Sequence, residues 1–533
     1  MATEENGAAS KKQLQRSESL VENVSWRHYM YFVVHVLQSC ASAIGYPVMT
    51  QFLYAKISKE YLEESNITVH SSDDDNLRLG HCFVNKSLPG YAIQQQVQAI
   101  NAQWLQYFSL CYGIPSIITV LIAGSWTDVL GRKAVFLLNA FGHMIKYVIY
   151  GIVMKFHLRT EYLILGYMTE GFSGSYFLSI LVTYAYTADI TPKNEKRSFF
   201  LVASDSIFHV CFGLANMSAG YFIRATGFFW PLVFATSLSI FSSIIFIFIV
   251  PETVKKGSFS DLSPKKSILR TLKFYTGSKN KPKPNKLKFW LCLLAFAALS
   301  QSVIGQFDID TLYVLNSPFC WDSVKIGNYG AVSSFVIPVI TVIFMRLMQC
   351  CLPEALIASS SLLFFIGRSL VKAFSTEDWQ IYLAGLVGAP GLLSFAMIRT
   401  IVSQLSDATE QGSVFAGLGT VEAICGMTSS LMLNSIYAHT LLWMKGFVFV
   451  VVAICCIAPA SLLLALHFVI KKEQKEQGEV TVNTVEMECK DSTPSTSQSN
   501  NEDGMKHGKV EEERKESEYD KTTKGEYNLG YTN

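Results

Sequence analysis

Long apolar stretches alternate with short polar ones between residues 28 and 470. The apolar stretches are rich in Leu, Ile, Val, Phe and Ala, with Gly and Ser interspersed. A helix of about 20 apolar residues crosses the hydrocarbon core of a membrane, and small residues let such helices pack closely. The pattern therefore predicts an all-α membrane protein.

The apolar stretches predict twelve transmembrane helices in two sets of six. The first set lies near 29–54, 104–126, 134–155, 161–187, 198–223 and 229–250, and the second lies near 288–315, 325–349, 355–374, 379–405, 413–438 and 445–470. We expect an N-terminal bundle (28–250), a polar linker (251–287) and a C-terminal bundle (288–470). The two tails (1–27 and 471–533) are polar and mixed in charge, which predicts disorder.

The linker predicts the orientation of the bundles. It is rich in Lys, and only Glu252 and Asp261 oppose this positive charge. Basic loops stay on the cytoplasmic side, so both tails are cytoplasmic and the loop 55–103 is exoplasmic. That loop is acidic and carries N-glycosylation sequons at Asn66 and Asn85, where we predict glycans.

Composition agrees with a membrane protein and excludes several other classes. Half of the residues, 50%, are hydrophobic and only 16% are charged, whereas about a quarter are charged in soluble domains. A net charge of +2 gives no indication of a nucleic acid partner. Neither a G-x-x-x-x-G-K-[ST] phosphate loop nor an H-E-x-x-H metal motif occurs, so we expect no ATP-driven pump, no membrane enzyme, no cofactor and no metal.

Cys82 and Cys320 differ from the other cysteines, most of which lie inside predicted spans. Cys82 is in the exoplasmic loop, and Cys320 is in "NSPFCWDS" between spans seven and eight. Both therefore face an oxidising compartment, where disulfides persist. This placement allows either a disulfide between the two bundles or two free thiols.

The stretch "GSWTDVLGRK" places charges between spans two and three, on the predicted cytoplasmic side. Its pattern is two glycines around an acid, followed by two cations: Gly124, Asp128, Gly131, Arg132 and Lys133. Glycine allows a tight turn, the acid can accept from backbone amides or pair with a cation, and the cations anchor the next helix at the inner surface. The pattern resembles the signature loop of the major facilitator superfamily, which implies a gate that joins the two bundles.

Further loop sequences resemble one family of that superfamily, the proton-coupled folate transporter family (solute carrier family 46). They are "TLYVLNSPFCWDSVKIG" at 311–327, "ATEQGSVFA" at 408–416, "MKGF" at 444–447 and "TADITPKNEKRSFF" at 187–200. The resemblance covers roughly residues 28–470 and implies proton-coupled transport by alternating access. It also implies that Cys82 pairs with Cys320, because the corresponding cysteines pair in this family.

Ionisable side chains inside predicted spans are the candidates for function. They are Glu170, Asp205, Asp308, Arg399 and Glu422. Each costs about 2.5–3.5 kcal/mol at a helix centre, so their sum is on the order of 10 kcal/mol, comparable with the whole stability of a typical protein. Such groups must pair with one another, face a water-filled cavity or change protonation. For any one of them, an internal ion pair is the structural alternative.

Asp205 of span five is the candidate for proton coupling. By alignment from Arg197 it occupies the position of the family's coupling acid, and it is Asp as in the steroid-conjugate-transporting branch. A carboxyl in a cavity of low dielectric can load and release a proton near physiological pH. His209 lies four residues later on the same face, either as a relay or as a hydrogen-bonded packing residue.

Arg399 of span ten is the candidate anion clamp. It matches a family arginine implicated in substrate binding, and a buried guanidinium suits a carboxylate or sulfate. Pairing with Glu422 or Glu170 in the empty state is the alternative. The resemblance also assigns Asp308 and Glu422 to the cavity, the latter as in the steroid-conjugate branch.

Two positions depart from the folate transporters. Ser175 stands where they carry Asp, and Val303 stands where they carry His. These departures weaken the case for folate and leave proton coupling in place.

We therefore expect a secondary transporter that brings an organic anion, folate-like or steroid-conjugate-like, into the cytoplasm with protons. Its expected partners are that anion, protons and membrane lipid, in the plasma membrane or the lysosomal membrane; the oligomeric state stays open. The alternative is a receptor or scaffold with a transporter fold that binds a ligand without moving it.

Overall fold

The computed structural model describes residues 25–64, 82–190, 195–254, 283–405 and 411–491. Some helical residues are described by their backbone alone: 124–125, 128–129, 184, 188, 195–209, 283–286, 403, 411–416 and 477–491. The regular structure of the described part is helical throughout.

Helices lie at all six predicted spans of the N-terminal bundle. They are α1 (Trp26–Glu64), α2 (Pro89–Leu130), α3 (Arg132–Lys155), α4 (Leu163–Phe172), α5 (Ser175–Ile190), α6 (Glu195–Thr226) and α7 (Phe229–Phe248). Helices α4 and α5 together form the fourth span.

The C-terminal bundle repeats this arrangement with more interruptions. Its helices are α8 (Lys283–Val303), α9 (Gln306–Leu315), α10 (Ser323–Gln349), α11 (Glu354–Ala373), α12 (Asp378–Gly388), α13 (Leu393–Gln404), α14 (Gln411–Thr440), α15 (Phe447–Cys455) and α16 (Ile457–Asp491). Among the described residues, nine helical stretches are long and apolar enough to cross a membrane by themselves. The twelve predicted positions are all helical, which confirms the fold class.

Three predicted boundaries differ from the structure. The exoplasmic loop predicted from 55 to 103 is shorter, because α1 continues to Glu64 and α2 already begins at Pro89. Salt bridges one helical turn apart support the extension of α1: Lys56–Glu60 at 2.8 Å and Lys59–Glu63 at 3.8 Å. The last helix continues to Asp491, so the tail predicted to be disordered from 471 starts as helix. Polar helical ends extend beyond the apolar windows that located the spans.

Span four is broken at Gly174, between α4 and α5. Gly174 has φ +84° and Ser175 has φ +54°, a left-handed region that costs little only for glycine. The break frees backbone carbonyls, and Asn139 of α3 donates to two of them, at 2.7 Å from Ser175 O and 3.2 Å from Ser173 O. A neighbouring side chain thus supplies the hydrogen bonds that lipid cannot give.

Spans seven and ten are broken in comparable ways. Gly305 separates α8 from α9 at a close crossing, where an added Cβ would lie 2.6 Å from the backbone carbon of Ser429. In span ten a 3₁₀ turn at Ala389–Leu392 separates α12 from α13. Thr341 Oγ1 of α10 donates to the Ala389 carbonyl at 2.8 Å. Discontinuous helices of this kind form the binding sites of many transporters.

Two pairs of helices make the most extensive contacts between the bundles: α2 packs along α14, and α6 packs along α10. A disulfide adds a covalent link, because Cys82, just before α2, is bonded to Cys320, just before α10. The bond predicted through the family resemblance is confirmed.

We predict that Cys82→Ser, Cys320→Ser and the double substitution destabilise the protein equally. Each removes the same bond, which spans 238 residues of chain, and a native disulfide typically contributes about 2–4 kcal/mol. Thermal unfolding of the purified full-length protein without reductant measures the effect. Additive losses in the double variant would show that the two side chains stabilise the protein separately.

Candidate functional site

Asp308 lies at the interface of the two bundles, in the first turn of α9 just after the break in span seven. Its Oδ1 accepts from the Tyr46 hydroxyl of α1 at 2.7 Å, and its Oδ2 accepts from Ser430 Oγ of α14 at 3.2 Å. Ser430 in turn shares a hydrogen bond of 2.7 Å with Ser109 of α2. Hydrogen-bonded hydroxyl groups therefore connect this carboxylate of the C-terminal bundle to α1 and α2 of the N-terminal bundle.

Glu170 of α4 forms an ion pair inside the N-terminal bundle. Its carboxylate lies 2.6 Å from Lys146 Nζ and 3.6 Å from His143 Nδ1, both of α3. The ammonium group also lies 4.1 Å from the centroid of the Tyr167 ring, within range of a cation–π contact. Sequence reasoning named the carboxylate but missed both bases, although "HMIK" lies inside a predicted span and carried the same signal.

Arg399 and Glu422 are paired inside the C-terminal bundle. Arg399 Nη2 donates to Glu422 Oε2 at 2.8 Å, and the guanidinium lies 5.5 Å from the centroid of the Phe296 ring. The two side chains are 32% and 16% exposed, so solvent or a ligand can reach the pair. Of the two acids considered for Arg399, Glu422 of the next span is its partner. Glu170 pairs with Lys146 instead.

Ser175 occupies the break in span four. It is buried, and its carbonyl is held by Asn139. Asp205 and His209, the predicted proton-coupling residues, lie on α6, but their side chains are outside the described residues.

The cytoplasmic loop between α2 and α3 is built around Glu252, the acid of "VPET". Its carboxylate accepts from the backbone amides of Arg132 at 2.8 Å and Lys133 at 3.0 Å. These are the first amides of α3, so the acid caps a helix N-terminus and its dipole. Gly131 has φ +97°, and an added Cβ would collide with the Glu252 carboxylate. Only glycine fits this position.

The described contacts of this loop stay within the N-terminal bundle. Arg132 Nε also donates to Asp189 of α5 at 3.1 Å, and Lys133 Nζ donates to the Ile247 carbonyl of α7 at 2.8 Å. The loop thus ties α3, α5 and the end of α7 together. Gly124 and Asp128 lie in α2 and are described by their backbone alone. The predicted link from this loop to the other bundle therefore stays a prediction.

A polar network crosses the interface at the opposite, predicted exoplasmic, side. Gln94 and Gln95 of α2 both donate to Asn316 Oδ1 at 3.2 Å, across the bundles. One turn deeper, Tyr437 of α14 donates to Gln98 at 3.2 Å. We call these five residues the exoplasmic seal. Sequence reasoning missed the seal because none of its side chains is charged.

Lys445 lies beside this seal, in the loop between α14 and α15. Its Nζ donates to the Ser317 carbonyl at 2.8 Å and lies 5.0 Å from the centroid of the Tyr91 ring. Burial, and to a smaller extent the charge of Lys86, lowers the pKa of Lys445 from 10.5 to about 8. The ammonium group is thus held at some cost to stability at neutral pH.

We predict that the stability difference between the wild type and Lys445→Met shifts in favour of the wild type as pH rises from about 8 toward 10.5. Below this window both folded and unfolded chains carry the proton, so the cost is fully present. Within it the folded state binds fewer protons, so stability rises with pH. Melting temperatures of both proteins across this range measure the shift. Lys86→Met removes the neighbouring charge, so the shift with pH should be smaller in that background. A stability difference that does not change with pH would contradict the lowered pKa of Lys445.

Of the predicted glycosylation sites, Asn85 is exposed in the turn before α2. Its Oδ1 accepts from the Ser87 amide at 3.0 Å. Asn66 lies outside the described residues, and glycosylation at both sites stays a prediction.

Comparisons with known proteins agree with this arrangement. Residues 82–430 match the family model of the Major Facilitator Superfamily. The "lysosomal proton-coupled steroid conjugate and bile acid symporter SLC46A3" of Gallus gallus is 30% identical over 427 residues, covering 79% of this chain and 90% of the relative. The protein of that name from Homo sapiens is 28% identical over 428 residues, covering 80% and 91%. The "proton-coupled folate transporter" of Rattus norvegicus is 27% identical over 436 residues, covering 81% and 90%.

Solved structures show the same fold at low sequence identity. The human organic anion transporter MFSD10 (TETRAN) has a TM-score of 0.56 at 14% identity, covering 84% of this chain and 99% of that one. A peptide transporter, POT, in complex with sulfate has a TM-score of 0.53 at 12% identity, covering 83% and 95%.

Proposed function

The chain belongs to the major facilitator superfamily, in the family of the steroid conjugate and bile acid symporter, and we propose that it carries an organic anion into the cytoplasm together with protons. It is a secondary transporter and not an enzyme. The substrate, the coupling ion and the residues below are the proposal.

The observation that carries the proposal is the carboxylate of Asp308 at the bundle interface, bonded to Tyr46 of one bundle and to Ser430 of the other. Hydrogen bonds from hydroxyl groups to this carboxylate can be exchanged for water or ligand contacts without separating two opposite charges. Breaks in spans four, seven and ten interrupt the helices near the charged residues, as in many transport sites. Such an interface suits alternating access, in which the bundles move against each other.

Arg399 is the proposed anion site. In the structure its guanidinium bonds to Glu422, and this acid is the group that an arriving carboxylate or sulfate would displace. The Phe296 ring beside the guanidinium offers an apolar surface for the body of the substrate. A site that exchanges an internal for an external anion keeps the arginine neutralised in both states.

Asp205 is the proposed proton carrier, with His209 as its neighbour on α6, and Asp308 and Glu422 adjust the charge of the cavity. Proton uptake at a carboxylate removes one negative charge from the cavity, which favours entry of an anionic substrate. Proton and anion would therefore enter together, and their release on the cytoplasmic side would reset the carrier. The loop at 124–133 and the exoplasmic seal are the proposed gates at the two ends.

Among the candidate substrates, an anion with a bulky apolar body fits better than folate. The relative with the highest identity reported above is named a steroid conjugate and bile acid symporter. Ser175 and Val303 stand where the folate transporters carry Asp and His. Ser175 also lies in the helix break, where its carbonyl accepts from Asn139. We therefore propose a steroid-conjugate-like or bile-acid-like anion.

We predict that Asp205→Asn abolishes the stimulation of uptake by acid. Asparagine cannot exchange a proton, so uptake should be nearly equal at about pH 5.5 and about pH 7.4, values on either side of the free histidine pKa of about 6.5. Uptake of a radiolabelled bile acid into proteoliposomes under an imposed proton gradient measures this. Glu161→Gln, which changes an exposed carboxylate between spans three and four, is the control and should keep the stimulation.

Uptake by Asp205→Asn that still rises with acid would exclude this residue as the proton carrier. Binding of the bile acid without accumulation by the wild type would instead favour a receptor.

We predict that Glu422→Gln lowers KM for the organic anion by about three- to tenfold. The amide keeps the size of the side chain but loses the charge that competes for Arg399, and charge-assisted hydrogen bonds are the stronger ones. Initial rates of uptake against substrate concentration give KM and kcat separately. Glu354→Gln removes a partly exposed carboxylate that accepts from Gln404 and should leave KM unchanged. A higher KM in Glu422→Gln would mean that the acid helps to bind the substrate.

A further inference from the structure

A second group of charges lies on the far side of α9 from Asp308, inside the C-terminal bundle. Asp310 follows two residues later, so its side chain leaves the helix about 200° around the axis. Its Oδ2 accepts from Lys372 Nζ at 2.6 Å and from Arg368 Nη2 at 3.0 Å, both of α11. Sequence reasoning passed over both cations, although they lie four residues apart inside predicted span nine.

The charges of this group do not balance among the described residues. Two cations face one carboxylate, and the Lys372 side chain is only 3% exposed. Arg368 Nε and Asp310 Oδ1 are buried without a hydrogen-bond partner among the described residues. A buried net charge is costly unless a counter-ion neutralises it. As long as Lys372 and Arg368 are both charged, the site is short of one negative charge.

Lys372 and Asp310 line a pocket enclosed by α9, α10, α11 and α12. Its cavity is small, about 60 Å³, and opens to the surface, so it has room for a carboxylate group with the rest of a ligand at its mouth. The remaining walls are mostly aromatic and aliphatic: Thr311, Tyr313, Val314, Trp321, Ile326, Tyr329 and Ile381. Trp321 follows the disulfide cysteine in the predicted exoplasmic loop, so the pocket lies at the end of the bundle from which a substrate would arrive.

We propose that this pocket, here named the Lys372 pocket, binds the carboxylate of an amphipathic organic anion. The ammonium group of Lys372 pairs with the carboxylate, and the aromatic walls contact the apolar body. Apolar walls around one charged group are typical of sites for organic ligands, whereas a small inorganic anion would leave these walls without a partner. The class of anion rests on the proposed function, but the charge imbalance stands without it.

The Lys372 pocket is distinct from the Arg399 site. Asp308 and Asp310 leave α9 on different sides, and the partners of Asp310 come from α11, while Arg399 and its partner belong to α13 and α14. The protein would therefore hold anions at two places, one at the pair proposed for transport and one nearer the exoplasmic end.

The test measures binding of sodium benzoate to purified full-length protein in detergent, by the concentration dependence of the melting temperature. All variants carry Arg399→Met, which removes the guanidinium of the transport site. We expect benzoate still to stabilise this protein in a saturable way. Adding Lys372→Met should weaken the apparent affinity by about tenfold or more, since it removes the pairing charge. Adding Lys372→Arg should keep most of it.

Asp310→Asn should change the affinity for benzoate in the opposite direction. It removes the competing negative charge, so it should tighten benzoate binding by about tenfold, whereas damage to the fold would weaken binding in every variant. Equal affinity with and without Lys372→Met, or weaker binding in Asp310→Asn, would overturn the proposal.

The remaining outcomes separate this site from its alternatives. If Arg399→Met alone abolishes the benzoate effect, the anion binds only at the transport site; the Lys372 pocket is then refuted while the proposed function stands. If sodium chloride gives the same Lys372-dependent stabilisation and benzoate adds nothing, the pocket holds an inorganic anion and the organic assignment is overturned. Failure of bile acid transport with Lys372-dependent benzoate binding retained would refute the proposed function and leave the anion pocket supported.

Discussion

The cost of placing a charge away from water governs this structure. Ionisable side chains at membrane depth need a partner because an isolated charge there is strongly unfavourable. Most described charges of the spans meet this need with ion pairs inside one bundle: Glu170 with Lys146, Arg399 with Glu422, and Asp310 with Arg368 and Lys372, whereas Asp308 accepts from hydroxyl groups. Each bundle therefore keeps its charges neutralised largely by itself.

Contacts between the bundles follow a different rule. The described hydrogen bonds across the interface involve the hydroxyls of Tyr46, Ser109 and Tyr437 and the amides of Gln94, Gln95 and Asn316, and Lys445 adds a cation–π contact with Tyr91. The bond from Tyr46 has a carboxylate acceptor, whereas the other hydrogen bonds join two neutral groups, and a neutral hydrogen bond contributes roughly half as much as a charge-assisted one. Strong pairs inside each bundle and weaker bonds between them allow the bundles to move as units. The disulfide links the bundles at one end of the interface.

Helix breaks create a similar need in the backbone, because the polar groups that they free also require partners. Spans four, seven and ten each contain a break, and side chains of neighbouring helices, Asn139 and Thr341, bond to carbonyls there. Glu170 lies just before one break, Asp308 just after another, and Arg399 on the helix that follows the third. Charged side chains and helix breaks therefore lie near each other along the chain, where a polar substrate can use both.

The sequence by itself determined the class of fold, the order of the spans and most of the charged positions. Apolar length decides whether a segment crosses a membrane, and this is a local property. The short loop sequences were as informative, since they indicated the family, and the resemblance to that family implied the bond between Cys82 and Cys320. The helix breaks were less accessible, because glycine is also common in unbroken membrane helices.

Tertiary structure alone decided which charges meet. Glu170 faces Lys146 and Arg399 faces Glu422 because of how the helices are rotated and packed, and span-by-span hydropathy contains no information on rotation. The Lys372 pocket depends on the same factor, since α9 presents Asp308 to one side and Asp310 to another. The exoplasmic seal consists of neutral side chains, whose role arises only from the partner across the interface. Pairing between distant helices is a property of their packing, and a single sequence specifies it only through the folded state.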